Sequence, residues 1–125
     1  MTTHMQIGEV AERTGLSLRT IRYYEEVDLA VPSARTQGGF RLYREADVRR
    51  LEVIMRMKPL GFQLDEMREL LGILDAKERG DGTGEQDRRL AEFRELADRR
   101  CEKLRRQLEL AEDFAATLES RLPGA

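Results

Sequence analysis

Apolar positions recur along this chain mostly with the period of an α-helix. Ile7, Val10 and Ala11 lie on one stripe, Gly15 interrupts it, and Ser17 is suited to cap a second helix running to about Glu26. Ala11, Gly15 and Ile21 have the spacing of a helix–turn–helix. There the crossing needs a small residue, the turn favours glycine, and a branched apolar residue anchors the second helix. With Ile21 and Tyr24 turned to the core, Ser17, Leu18, Arg19, Arg22, Tyr23 and Glu26 fall on the outward face.

The period then switches to alternation. Residues 33–43 predict a two-stranded hairpin, with Pro32 ending the segment before it and Gly38 and Gly39 free to take the positive φ of a tight turn. Phe40 and Leu42 alternate with Arg41 and Tyr43, which places Arg41 and Tyr43 on one side. Helical spacing resumes from about Glu45 to Met57 through Val48, Leu51, Ile54 and Met55. Lys58-Pro59-Leu60-Gly61-Phe62 breaks it. A fourth helix carries Leu64, Met67, Leu70, Leu71 and Leu74, with Asp65 and Glu66 in the first turn, where they favour the helix dipole.

Residues 76–84 are polar, hold three glycines and predict a linker. From about Glu85 one helix is expected to run to Arg121, ended by Pro123-Gly124. Cys101, Leu104, Leu108, Ala111, Ala115, Leu118 and Leu122 alternate spacings of three and four, the seam of a coiled coil. Leu90, Phe93 and Ala97 continue it with an offset, as a stutter produces. A helix with so small a seam is not stable alone, so a second copy is expected against it. The pattern therefore predicts a mainly α protein: a winged helix–turn–helix DNA-binding domain over 6–75, a linker over 76–84, and a coiled-coil dimerisation helix over 85–122.

Charge changes the picture only when it is read locally. The chain carries a formal net charge of −2 and a pI near 5.6, which suits a nucleic-acid binder poorly. Residues 1–62, however, hold 10 Lys and Arg against 8 Asp and Glu, a balance of +2, and the acidic excess lies beyond them. Arg35, Arg41, Arg44, Arg49, Arg50, Arg56 and Lys58 form a basic cluster, and local clusters govern DNA affinity. Arg19 and Arg22, three residues apart, emerge side by side. Arginine can bridge guanine O6 and N7 or clamp a phosphate, and the Tyr23 hydroxyl can reach phosphate. Ser17 and Thr20 join that DNA-binding set from the start of the same helix. In the hairpin, Arg35, Arg41 and Tyr43 form a clamp for the backbone, and Lys58 stands at the helix break. The competing structural readings are Arg22 paired with Glu25 or Glu26, solvated surface arginines, a solvated Lys58 and a core Tyr24.

Other functions find little support. One cysteine and one histidine build neither a disulfide framework nor a metal cluster in one chain. His4, near the N-terminus, is assigned no role. No nucleophile–base pair or phosphate loop is present, so neither an enzyme nor a cofactor is expected. Without a long apolar run or a signal region, the expected location is the cytoplasm, at the nucleoid. Cys101 lies on the seam, where it reads as a small buried hydrophobe; a redox or metal switch is the other reading.

The stretches IGEVAERTGLS, TIRYYEEVDL, GGFRLY, EADVRRL and LGFQLDEMRELL, in that order over residues 6–74, resemble the MerR family of bacterial transcription regulators. The resemblance implies two wings, an antiparallel coiled coil in a homodimer, and operator reading by Arg19, Arg22 and Tyr23. By the same likeness Arg41 and Tyr43 grip backbone from the first wing and Lys58 from the second. It further implies an inverted-repeat operator in an over-long promoter spacer, which the dimer bends and untwists so that RNA polymerase engages both promoter elements. The family's metal sensors bind effector through thiolates near the end of this helix. Here no cysteine follows Cys101 and the sequence stops three residues after Leu122, so neither that route nor an appended drug-binding domain is expected. An effector-independent repressor or architectural protein, or an interaction module using the long helix, are the alternatives. Asp28 stands where the family commonly has glycine, and aspartate tolerates that conformation. Arg44 and Gln63 stand at expected helix N-caps, a loss of about 1 kcal/mol each.

Overall fold

Each predicted helix is present, and its ends explain its position. The computed structural model of the chain describes residues 4–124. Strand β1 (Met5–Gln6) leads directly into helix α1 (Ile7–Thr14), which ends at Gly15 with φ of 78° and a hydrogen bond from Gly15 N to Ala11 O. Helix α2 (Leu18–Glu26) is capped by Ser17, whose side chain accepts from Thr20 N. Its far end is closed by the left-handed motif in which the amides of Asp28 and Leu29 reach back to the carbonyls of Glu25 and Tyr24. Asp28 takes φ of 60°, the position expected to favour glycine.

Strands β2 (Ala34–Arg35) and β3 (Arg41–Tyr43) form the hairpin, and β1 pairs antiparallel on the other side of β3, giving the order β1-β3-β2. The periodicity did not predict β1, whose two residues are too short to carry a pattern. Of the two turn glycines only Gly39 uses a positive φ, 87°. Helix α3 (Glu45–Met57) passes through a short 3₁₀ turn at Lys58–Leu60, closed by Gly61 with φ of 73°, before α4 (Leu64–Glu78). The weak caps expected at Arg44 and Gln63 are offset from the third helical position. Asp47 Oδ2 accepts from Arg44 N at 2.8 Å, and Glu66 Oε1 accepts from Gln63 N at 2.8 Å.

The chain divides into two compact units after Asp75. In the first, Val10, Ile21, Tyr24, Leu29, Tyr43, Val48, Leu51 and Ile54 are buried, which joins one face of each of α1, α2 and α3 to the hairpin. The polar run 76–84 is more ordered than its composition predicts. Helix α4 continues to Glu78 and closes with Gly80 at φ of 78°, where Gly80 and Asp81 donate to the carbonyls of Lys77 and Ala76. Lys77 Nζ meets Asp87 Oδ1 at 2.5 Å. Thr83 and Gln86 then form a reciprocal capping box that starts α5 (Gly84–Arg121), a helix of 38 residues.

Along α5 the expected seam divides. Phe93 is 3% exposed in the single chain, with the Arg89 guanidinium 4.4 Å from its ring centre, and Leu90, Ala97 and Cys101 are half-buried. Phe93 is thus already covered within its own chain. From Leu104 onward the seam is open: Leu104, Leu108, Ala111, Ala115, Leu118 and Leu122 are exposed, as are Leu110 and Phe114. Among the described residues no helix is long and apolar enough to cross a membrane.

Candidate nucleic-acid interface

The outward face of α2 follows from its inward one. Ile21 and Tyr24 are buried against the first unit's core, and Thr14 braces the turn before them by donating to Val10 O and accepting from Leu16 N. Side chains about 100° apart per residue then leave Arg19, Arg22 and Tyr23 on the exposed side. Arg19 and Arg22 make no side-chain hydrogen bond or ion pair among the described residues. Arg22 is thus not held by Glu25 or Glu26. Tyr23 is 43% exposed, and its ring is tilted against that of Tyr24, 5.8 Å between centres. Ser17 and Thr20, also expected at the interface, are occupied with each other: Ser17 Oγ donates to Thr20 Oγ1 at 2.9 Å while it caps the helix.

The segment after α2 is held by arginines from two other helices. Arg68 donates to Val27 O at 2.6 Å. Arg50 donates through Nε to Leu29 O at 2.6 Å and through Nη1 to both oxygens of Asp75. Arg50 thereby leaves the basic cluster to which the sequence assigned it and becomes a brace for the C-terminal end of α2. Only the folded topology brings it to Leu29, 21 positions away.

In the first wing the expected clamp is arranged differently. Arg35 and Arg41 face each other across the hairpin, and both donate to the Glu25 carboxylate on α2: Arg41 Nε to Oε1 at 2.5 Å, Arg35 Nη2 to Oε2. Arg35 Nη1 also closes the hairpin onto Gly39 O at 2.9 Å. Burial pushes the Glu25 carboxyl upward, but the hydrogen bonds and charges of Arg41 and Arg35 outweigh it and hold the group below its ordinary value. Arg41 and Tyr43 do share a side, as alternation predicted, yet that side faces inward. Tyr43 is 1% exposed, its hydroxyl has no hydrogen-bond partner among the described residues, and burial, then Glu25, pushes its phenol above the ordinary value. This corrects the reading of Tyr43 as a backbone contact. Phe40, by contrast, is 70% exposed at the wing tip, where Thr36 holds the turn through Phe40 N and O.

At the second break Lys58 is exposed, with its ammonium 6.0 Å from the centre of the Tyr24 ring. Among the described residues no group of three His, Cys, Asp or Glu side chains is placed to hold a metal ion, and Cys101 is a free thiol. The arrangement offers unpaired cations on a helix with a rigidly packed back, flanked by a hairpin and a short turn. Such a surface suits a polyanion with a groove.

Comparison with known proteins agrees with that chemistry. A sequence model described as MerR HTH family regulatory protein matches residues 5–72, and one described as MerR, DNA binding matches residues 48–121. The chain is 36% identical over 115 residues to the HTH-type transcriptional regulator HmrR of Rhizobium leguminosarum bv. viciae, which covers 92% of this chain and 81% of that protein. It is 47% identical over 66 residues to the HTH-type transcriptional activator mta of Bacillus subtilis, 53% of this chain, and spans about a quarter (26%) of that protein's length. Among solved structures, the N-terminal part of the Bacillus subtilis multidrug transporter activator matches with a TM-score of 0.57 and 32% identity, covering 96% of this chain and 99% of that one. HiNmlR, a MerR family regulator lacking the sensor domain and bound to promoter DNA, matches with a TM-score of 0.69, covering 94% of this chain and 92% of that one. At 21% identity that likeness speaks for the fold alone.

Proposed function

The chain belongs to the MerR family of DNA-binding transcription regulators, and on that premise we propose that it acts as a homodimer on an inverted-repeat promoter operator. The observation that carries this reading is the pair Arg19 and Arg22, exposed and unpartnered among the described residues, on a helix whose opposite face is buried. Two copies of α2 enter successive major grooves, with Arg19 and Arg22 toward base edges and phosphate and Tyr23 toward phosphate. Ser17 and Thr20 lie at the groove end of α2, Arg35 and Arg41 on the first wing, and Lys58 on the second wing against the flanking backbone.

The homodimer is supported by the open half of the α5 seam, where Leu104, Leu108 and Leu118 would otherwise stand in water. The dimer pairs these helices antiparallel, which sets the two recognition helices at a fixed separation. A rigid pair of this kind bends and untwists the promoter spacer, and RNA polymerase then engages both promoter elements. The site of action is the cytoplasm, at the nucleoid. The domain limits proposed for this mechanism are 6–75 for DNA binding and 85–122 for dimerisation.

Purified protein incubated with fragments of the source genome tests this directly. The expected product is a shared inverted repeat lying between two promoter elements with a long spacer. Retention of many fragments without a dyad would count against the operator reading.

A further inference from the structure

The Glu25 carboxylate occupies a site built for an anion. Arg35 and Arg41 are directly opposed in the hairpin register, an arrangement in which two like charges repel. Glu25, second to last in α2 and with its side chain 17% exposed, fills the space between them with one oxygen for each guanidinium. Either arginine would otherwise take a phosphate oxygen in the same geometry. The cluster thus presents two positive charges and one negative, and a DNA phosphate approaching the wing must compete with a resident carboxylate fixed to the recognition helix.

We propose that Glu25 is a specificity-determining residue: by neutralising one of the two wing arginines, it restrains the wing's hold on phosphates of any sequence and leaves base contacts of α2 to decide where the protein rests. The inference rests on the DNA-binding reading above. Phosphate contacts carry no sequence information, so strengthening them raises affinity for operator and non-operator DNA alike and compresses the ratio between them.

Glu25→Gln keeps the shape and one acceptor while removing the charge. Binding of this variant to an operator duplex and to a non-operator duplex is to be measured at several salt concentrations. One additional phosphate neutralised steepens the salt dependence by roughly 0.9 in logarithmic slope, which is about threefold more affinity lost between 50 and 200 mM salt. We expect that steeper slope, tighter non-operator binding at low salt and a smaller operator preference. Should the single variant fold poorly, the comparison is made in an Arg35→Gln background, where no like-charged pair remains to disrupt the hairpin. There the Glu25→Gln, Arg35→Gln double variant is expected to be steeper than Arg35→Gln alone. Parallel slopes in folded protein, with wild-type binding intact, overturn the role of Glu25 alone. A wild-type protein without salt-dependent affinity for duplex DNA overturns the DNA-binding reading, and this inference with it.

Discussion

Arg50 on α3 straddles both carboxylate oxygens of Asp75 near the end of α4, at 2.9 and 3.0 Å, while its Nε holds the carbonyl of Leu29. One side chain thus ties three segments of the first unit together and braces the turn that follows α2. Arg50→Ala is expected to cost about 1–3 kcal/mol, because Leu29 O loses its donor and Asp75 its partner. Asp75 is partly exposed, so the ion pair itself supplies the smaller share. Urea unfolding of the two proteins measures the loss. A variant as stable as the wild type would show that the brace carries no energy.

Base reading and backbone holding separate by substitution. Arg19→Ala is expected to weaken operator binding by roughly 1–3 kcal/mol and relax preference at one base position, whereas Lys58→Ala weakens all sequences alike and reduces the salt slope by about one. Competition binding with a panel of single-base operator variants distinguishes the two. Unchanged base preference in Arg19→Ala would remove Arg19 from the recognition surface.

Tyr43 offers a test of the corrected wing. Its hydroxyl is buried without a partner among the described residues, and a polar group in that position costs free energy on folding. Tyr43→Phe is expected to be neutral or to stabilise by up to about 1 kcal/mol, with DNA affinity unchanged. A variant of full stability that binds DNA tenfold less tightly would return Tyr43 to the contact surface.

The wing clamp also predicts a pH dependence. Glu25 has a folded-state pKa held below the ordinary glutamate value of 4.5, so it binds protons less readily folded than unfolded. Its contribution to stability is therefore fully present above about pH 4.5 and declines as pH falls through the depressed folded value. Glu45, held below its ordinary value by the hydrogen bond from Arg13, adds in the same direction. The stability difference between wild type and Glu25→Gln is expected to be flat from pH 6 to 8 and to shrink in the acid range. A difference independent of pH down to full protonation would sink the assignment.

The open seam gives the clearest test of assembly. Leu108→Glu places a charge on the exposed stripe of α5, far from the packed first unit's sequence. Sedimentation equilibrium is expected to show a dimer for the wild type and a monomer for the variant, with helix content of the first unit kept. A monomeric wild type at tens of micromolar would end the homodimer proposal.

Local patterns made much of the fold legible. The stripe through Val10, Ile21 and Tyr24, the Ser17 cap and the glycines at 15 and 61 each act within a few residues, and each predicts its own element. The outward placement of Arg19, Arg22 and Tyr23 followed from the same stripe. What sequence reading lost is non-local. Alternation put Arg41 and Tyr43 on one side of β3, but which side meets α2 depends on packing, and it is that side which is buried. Glu25 reaches Arg35 and Arg41 across 10 and 16 positions, and no periodicity encodes those pairings. Phe93 matched the coiled-coil spacing and yet is buried within its own chain.

Strand β3 lies between β2 and the two residues of β1, so Gln6 and Met5 stitch the root of the first wing to the strand that leads into α1. The strand that leads into α1 is therefore one edge of the sheet that carries the hairpin. Loss of the pairing of Met5 with Tyr43 and of Gln6 with Leu42 would unzip that edge and leave β3 held on the β2 side alone. Affinities of wing variants are therefore comparable only where β1 is kept intact, or a difference will report the supporting strand and not the substitution.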